Sequence, residues 1–168
     1  DSRAIGLAHY ELGQCYRQVG DMAIVREHIT KAATALHAAG DRRHLALVHS
    51  LSSILLAQLA RYDEAMMALR QAERLAATVQ ANDVLATVCG NQANVTMLQH
   101  RYEQALALAE RSVSLHEDHG SGHGLAVALA TLGQICVRLG DLGRAEVALH
   151  RALEVRSPIQ FHETTGAV

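Results

Sequence analysis

The segment HEDHGSGH places His116, Glu117, Asp118, His119 and His123 within eight residues of one another, in a chain with eleven histidines. Three imidazoles and two carboxylates are donors that suit zinc or nickel. The spacing is not H-E-x-x-H, however, and the glycines that run through the segment hold no donor in place. It reads as a polar turn between helices. A metal-sensing function would rest on His119 and His123. No metal and no cofactor is expected.

Cys15, Cys89 and Cys136 are the candidate nucleophiles. A thiol attacks only when a neighbouring base or cation makes it a thiolate, and nothing around Cys15 suggests one. The three cysteines are odd in number, far apart and without C-x-x-C, which fits neither a disulfide framework nor a zinc site. They fall in apolar, helical-looking stretches and read as small buried thiols of a reducing compartment, the cytoplasm. The glycines form no phosphate-binding loop and no dinucleotide fingerprint after a strand. No residue is assigned a catalytic role, and the chain is read as not an enzyme.

The elements that would position any site are helices. Apolar residues make up 49% of the 168 positions, aromatics only 3%, and Pro occurs once, at Pro158. Ala and Leu carry the apolar surface, which favours close-packed helices over sheets. The formal charge of -2 gives no electrostatic reason to bind nucleic acid or an anionic membrane. The most apolar run, residues 45–60, is interrupted by His49, Ser50, Ser52, Ser53 and Gln58, and no membrane span is expected.

Sliding the chain against itself by forty residues reveals a repeat. Gly13, Ser53, Ala93 and Gly133 align, all small. Val25, Ala65, Ala105 and Ala145 align, as do Ala32, Ala72, Ser112 and Ala152, with Ile29, Leu69, Ala109 and Leu149 as the larger residue between them. Turn signals fall at Gly20-Asp21, Ala60-Arg61, His100-Arg101 and Gly140-Asp141, and again at Gly40-Asp41 and residues 119–124. Four units follow, 1–40, 41–80, 81–120 and 121–160, each of two helices. Residues 161–168 form a cap, a linker or the start of a further unit. Val48, Leu55, Leu56 and Leu59 supply core. Tyr62 and Tyr102 occupy one turn position and pack back onto the helices.

This pattern resembles the tetratricopeptide repeat, in a forty-residue version such as large bacterial signalling proteins carry. The small row at 13, 53, 93 and 133 and the stripes Ala65-Leu69-Ala72 and Ala145-Leu149-Ala152 carry the resemblance, and Val25 and Ala109 depart from it. The resemblance implies a right-handed, all-α solenoid of four helix-turn-helix repeats whose first helices line a concave groove. It also implies a function: a scaffold that binds a protein or peptide segment, as the sensory or adaptor part of a larger bacterial regulator. The competing function is a homodimerisation module.

Carried over by register, the groove residues are Tyr10, Gln14, Arg17, Gln18, Leu51, Ile54, Gln58, Asn91, Asn94, Met97, Leu98, Gln134 and Arg138. Amides recur among them, and an amide both donates to and accepts from an extended backbone; the alternative is ordinary solvated surface. Leu47, Leu51, Ile54, Met97 and Leu98 form either an exposed apolar patch or part of a tightly closed superhelix. Ser50, Gly90 and Ala130 stand where relatives that clamp a terminal carboxylate carry basic residues, which disfavours that ligand.

Overall fold

The structure is a computed structural model that describes residues 1–156. Eight helices follow one another: α1 Ser2–Val19, α2 Met22–Ala38, α3 Arg42–Gln58, α4 Tyr62–Thr78, α5 Asn82–Leu98, α6 Tyr102–His119, α7 Gly122–Leu139 and α8 Leu142–Arg156. Among the described residues there is no strand. The chain is an all-α solenoid. α1 pairs with α2, α3 with α4, α5 with α6 and α7 with α8, and each hairpin stacks on the next.

Every turn is built the same way. Residues 20, 40, 60, 80, 100, 120 and 140 all have positive φ, from 52° at Gln80 to 89° at Gly20. The following residue donates its N–H to the carbonyl five positions back: Asp21 to Tyr16 at 3.2 Å, Arg61 to Leu56 at 2.9 Å, Asp141 to Cys136 at 3.0 Å. This left-handed stop satisfies carbonyls that the helix end leaves open. Asp21, Asp41 and Asp141 then start the next helix, each accepting the N–H three residues on at 3.2, 3.1 and 3.1 Å.

The two helices of each unit have different neighbours. α1 packs on α3, α3 on α5 and α5 on α7, whereas the second helices stand further apart and meet through the long side chains of ion pairs, Arg111 with Glu73, Arg144 with Glu110 and Arg151 with Glu117. The first helices are therefore the close-set inner wall, and the second helices splay on the outer wall. Small residues set the approach. Gly13 is buried, Ser53 and Ala93 are fully buried, and a Cβ on Gly133 would lie 2.6 Å from Leu149 Cγ. Between hairpins, the α4 stripe of Ala65, Leu69, Ala72 and Ala76 packs with Val88 and Val95 of α5.

Four expectations need correction. Leu59 is 55% exposed rather than core, because it is the C-cap of α3 and points past the packed face. Cys15 is exposed, whereas Cys89 and Cys136 are buried. The most apolar helix is α7, not residues 45–60: its mean hydropathy of 1.3 would suit a membrane span by length and composition. Here Ala128, Leu129 and Ile135 of that helix instead pack against neighbouring helices. The polar turn expected over HEDHGSGH is shorter than that: His116–His119 close α6, the left-handed stop is Gly120, and α7 begins at Gly122. Pro158 and residues 161–168 lie outside the described residues.

Candidate binding groove

A groove of about 560 Å³ runs along the inner wall from α1 to α7. Tyr10, Gln14 and Arg17 line it from α1, Leu51 and Ile54 from α3, Asn91 and Asn94 from α5, and Gln134 from α7. A side pocket of about 270 Å³ between α3 and α5 adds Gln58 and Leu98 and shares Ile54, Asn91 and Asn94 with the groove. The structure does not bring Gln18, Met97 or Arg138 to either. Gln18 and Arg138 are exposed elsewhere, and Met97 is packed against Ala93, Ala105 and Ile135.

The amides divide into committed and free. Gln14 donates to the Tyr10 hydroxyl at 2.9 Å and accepts from the Arg17 guanidinium at 3.2 Å. Asn91 donates to the Ser50 hydroxyl at 2.7 Å, tying α5 to α3. Asn94 is half-buried where the groove meets the side pocket, and among the described residues its amide makes no hydrogen bond; nor does that of Gln134 or Gln58. A half-buried amide without a partner is ready to take one, because leaving it unpaired is costly.

The apolar residues take the other course open to them. Leu51 is only 3% exposed, since Gly13 lets α1 approach it; a Cβ on that glycine would lie 3.3 Å from Leu51 Cδ2. Leu47, Ile54 and Met97 are half-buried, and Leu98 alone is exposed, at 38%. Superhelix closure uses most of the patch, and the groove floor is apolar without being an open apolar surface.

Ser112 and His116 belong to an outer helix, α6, yet reach the groove through gaps in the inner wall. Gly90 and Gly124 make those gaps: a Cβ on Gly90 would lie 3.1 Å from Ser112 Oγ, and one on Gly124 would lie 2.3 Å from His116 Cε1. Register alone places α6 outside, so these residues escaped sequence reasoning; two glycines on first helices were the available signal. Burial holds the His116 pKa below its usual value, with His119 adding to the effect, so the ring is neutral, and among the described residues its Nδ1 has no partner. Burial likewise raises the Tyr10 hydroxyl, which keeps its proton. The Cys89 and Cys136 thiols are raised by burial too, and stay inert. Among the described residues Arg17 is the one arginine on the lining, which holds no lysine or carboxylate. Hydroxyls, amides and the neutral His116 ring offer hydrogen bonds rather than charge.

A wider depression of about 900 Å³ lies on the opposite side of α3, between His49, Leu56 and the α4 residues Met67, Arg70 and Glu73. It opens broadly to solvent and gathers side chains from one hairpin only.

Residues 84–157 match a family model for the tetratricopeptide repeat. No curated protein sequence matches the chain. Among solved structures it is similar to BtubC (BKLC) from P. vanneervenii, with 18% identity and a TM-score of 0.73 over 93% of this chain and 65% of that one. It is also similar to aspartyl phosphate phosphatase F from Bacillus subtilis, with 17% identity and a TM-score of 0.79 over 92% of this chain and 41% of that one. The chain thus spans less than two thirds of either neighbour. At these identities the shared property is the fold, and it is the stretch 84–157 that carries the tetratricopeptide repeat match.

Proposed function

We propose that the chain is a non-catalytic scaffold that binds a protein or peptide segment in its inner groove, as the sensory or adaptor part of a larger bacterial regulatory protein in the cytoplasm. The array would comprise units 1–40, 41–80, 81–120 and 121–160, with 161–168 as cap, linker or start of another. One observation supports this most: four successive inner helices contribute to a single groove in which Asn94 and Gln134 offer uncommitted amides. An extended backbone presents a donor and an acceptor at each residue, and amides match both. The fold shared with a protein whose name assigns it an aspartyl phosphate supports the regulatory setting.

The test uses peptides selected from a displayed library against the intact chain. Asn94→Ala should weaken the selected peptides by about 1–3 kcal/mol, roughly tenfold or more in Kd, with an unchanged thermal melt. Unchanged affinity would remove the amide from the reading. A lowered melt would make Asn94 a structural residue and the groove assignment wrong.

A further inference from the structure

Every helix but α7 begins with a carboxylate of its own. Asp1, Asp21, Asp41 and Asp141 cap α1, α2, α3 and α8. Asp63 and Glu64, Asp83, and Glu103 lie in the first turns of α4, α5 and α6. The first N–H groups of a helix form the positive end of its dipole, and a negative group is favoured there. α7 has no acid in its first turn, and its cap, Ser121, makes no side-chain bond. Among the described residues the N–H groups of Gly122, His123 and Gly124 make no hydrogen bond.

An open helix start in water is simply hydrated. Here a buried side chain stands against it. His116 of α6 is 5% exposed, and its ring edge lies on Gly124, where a Cβ would be 2.5 Å from Nδ1. That nitrogen is buried with no partner among the described residues. The groove reaches this corner, since His116, His123 and Gly124 all line it.

α3 shows what fits such a place. The forty-residue register puts Asp41 where α7 has Ser121, and His44 where α7 has Gly124. The Asp41 carboxylate accepts the His44 N–H at 3.1 Å and bonds the His44 ring at 2.8 Å. A carboxylate held by a helix start and an imidazole is thus built once from the chain's own residues. At α7 the N–H groups and the imidazole of His116 are in place, and the chain supplies no acid. Arg17 stands at the α1 end of the groove, and no lysine or arginine among the described residues lines the α7 end. A singly charged carboxylate suits this corner better than a phosphate, which calls for a fixed cation besides.

We propose that the start of α7 holds a carboxylate of the segment bound in the groove, either an acidic side chain or a terminal carboxylate, on the His123 and Gly124 N–H groups beside the His116 ring. The acid anchors the segment at α7, and the remainder runs over Asn94 and Ile54 toward α1. That the acid belongs to a bound segment rests on the peptide-binding reading. The holding groups are backbone N–H groups and an imidazole, so the lack of basic residues at Ser50, Gly90 and Ala130 does not count against it.

Backbone amide NMR of the full chain tests the site with small probes. Acetyl-diglycine carries a terminal carboxylate, and acetyl-glutamyl amide carries a side-chain one. At least one of them should shift the Gly122, His123 and Gly124 amides saturably, and which one does so identifies the source. Acetyl-diglycine amide and acetyl-glutaminyl amide should leave them unmoved. Ser121→Asp gives α7 the cap that α3 has. It should weaken the acid probe by at least about tenfold and raise the thermal melt, so lost binding is not unfolding. No saturable shift from either acid at tens of millimolar overturns the proposal, as does a response that the neutral probes or Ser121→Asp reproduce in full. The two readings fail separately. Library-selected peptides that keep their affinity when every carboxylate is made an amide remove the site and leave the groove. A library that yields no peptide, with the acid shifts present, removes the groove reading and leaves the site.

Discussion

The turns near the two ends of the solenoid and those at its centre adopt one geometry with different residues. At 20–21, 40–41 and 140–141 the left-handed stop is Gly and the next cap is Asp, both suited to their places, and 120–121 is intermediate, with Gly as the stop and Ser121 making no side-chain cap bond. At 60–61, 80–81 and 100–101 the left-handed residue is Ala, Gln or His, and the cap is Arg, Ala or Arg with no side-chain bond. Packing runs the other way. α3 and α5 each bury eight residues, whereas α1 buries only Gly6 and Gly13. A central turn is held by hairpins on both sides and tolerates poor local chemistry. A terminal turn has a neighbour on one side only, so its own residues must specify it.

The strongest way to break this contrast is to remove central packing. Leu69 is fully buried between the inner and outer walls, and Leu69→Ala should cost about 2–5 kcal/mol. Val147→Ala on the last helix, where the side chain is 69% exposed, should stay within about 0.5 kcal/mol of wild type. Urea denaturation of both variants measures the pair. Similar losses would mean that stability is spread evenly along the array, and the contrast would fail.

Ala72→Leu attacks the same core from the other direction. Ala72 is fully buried in the α4 stripe, and the added bulk should cost about 1–3 kcal/mol by forcing α4 and α5 apart. A neutral result by thermal melt would mean that the helices slide freely and that the small-residue row does not set their spacing.

Removing a local device at a terminal turn comes next. Asp41 caps α3 and also accepts from the Arg3 guanidinium at 2.7 Å and the His44 ring at 2.8 Å. Burial pushes its carboxyl up, but the bonds from Arg3 and His44 outweigh that and bring the pKa to about 2. The depressed value means that the folded state prefers the ion. The stabilisation is full above the unfolded pKa of about 4 and is lost as pH falls toward 2. Asp41→Asn should therefore flatten the acid limb of the stability curve over that window, and Asp41→Ala should cost about 1–2 kcal/mol at neutral pH. An unchanged acid limb in Asp41→Asn would show that other carboxylates carry it.

The repeat was legible because both ends spell it out: Gly20-Asp21 and Gly140-Asp141 mark the turns, and the small row at 13, 53, 93 and 133 marks where helices approach. The central turns were harder, since neither Gln80 nor His100 announces a left-handed residue; only the stacked hairpins impose it. Cys15 was misread for a related reason. Its face is apolar as the register says, but burial needs a helix on top, and no helix among the described residues covers that face of α1. The groove was legible where a side chain points straight inward, as with Gln14, Asn94 and Gln134. It was not legible at Met97, which turns into the core, at Gln18 and Arg138, around which no depression forms, or at His116, which enters from an outer helix through the gap at Gly124.

The smallest effect tests the contrast most finely, because its sign is opposite at the two kinds of turn. A non-glycine residue at positive φ costs on the order of 1–2 kcal/mol, and glycine there gives back part of this gain through the greater freedom of its unfolded chain. Gln80→Gly should therefore stabilise the protein by about 0.5–1 kcal/mol, whereas Gly20→Ala should destabilise it by a similar amount. Gln80 is the cleanest central position, since it is exposed and its side chain makes no hydrogen bond among the described residues. His100→Gly should gain less, because its ring takes part in a 2.7 Å hydrogen bond with the Tyr102 hydroxyl that the substitution removes. Thermal melts resolve differences of this size in a two-state array. If Gln80→Gly destabilises, the side chain at that turn contributes more than its backbone costs, and the central turns are specified locally after all.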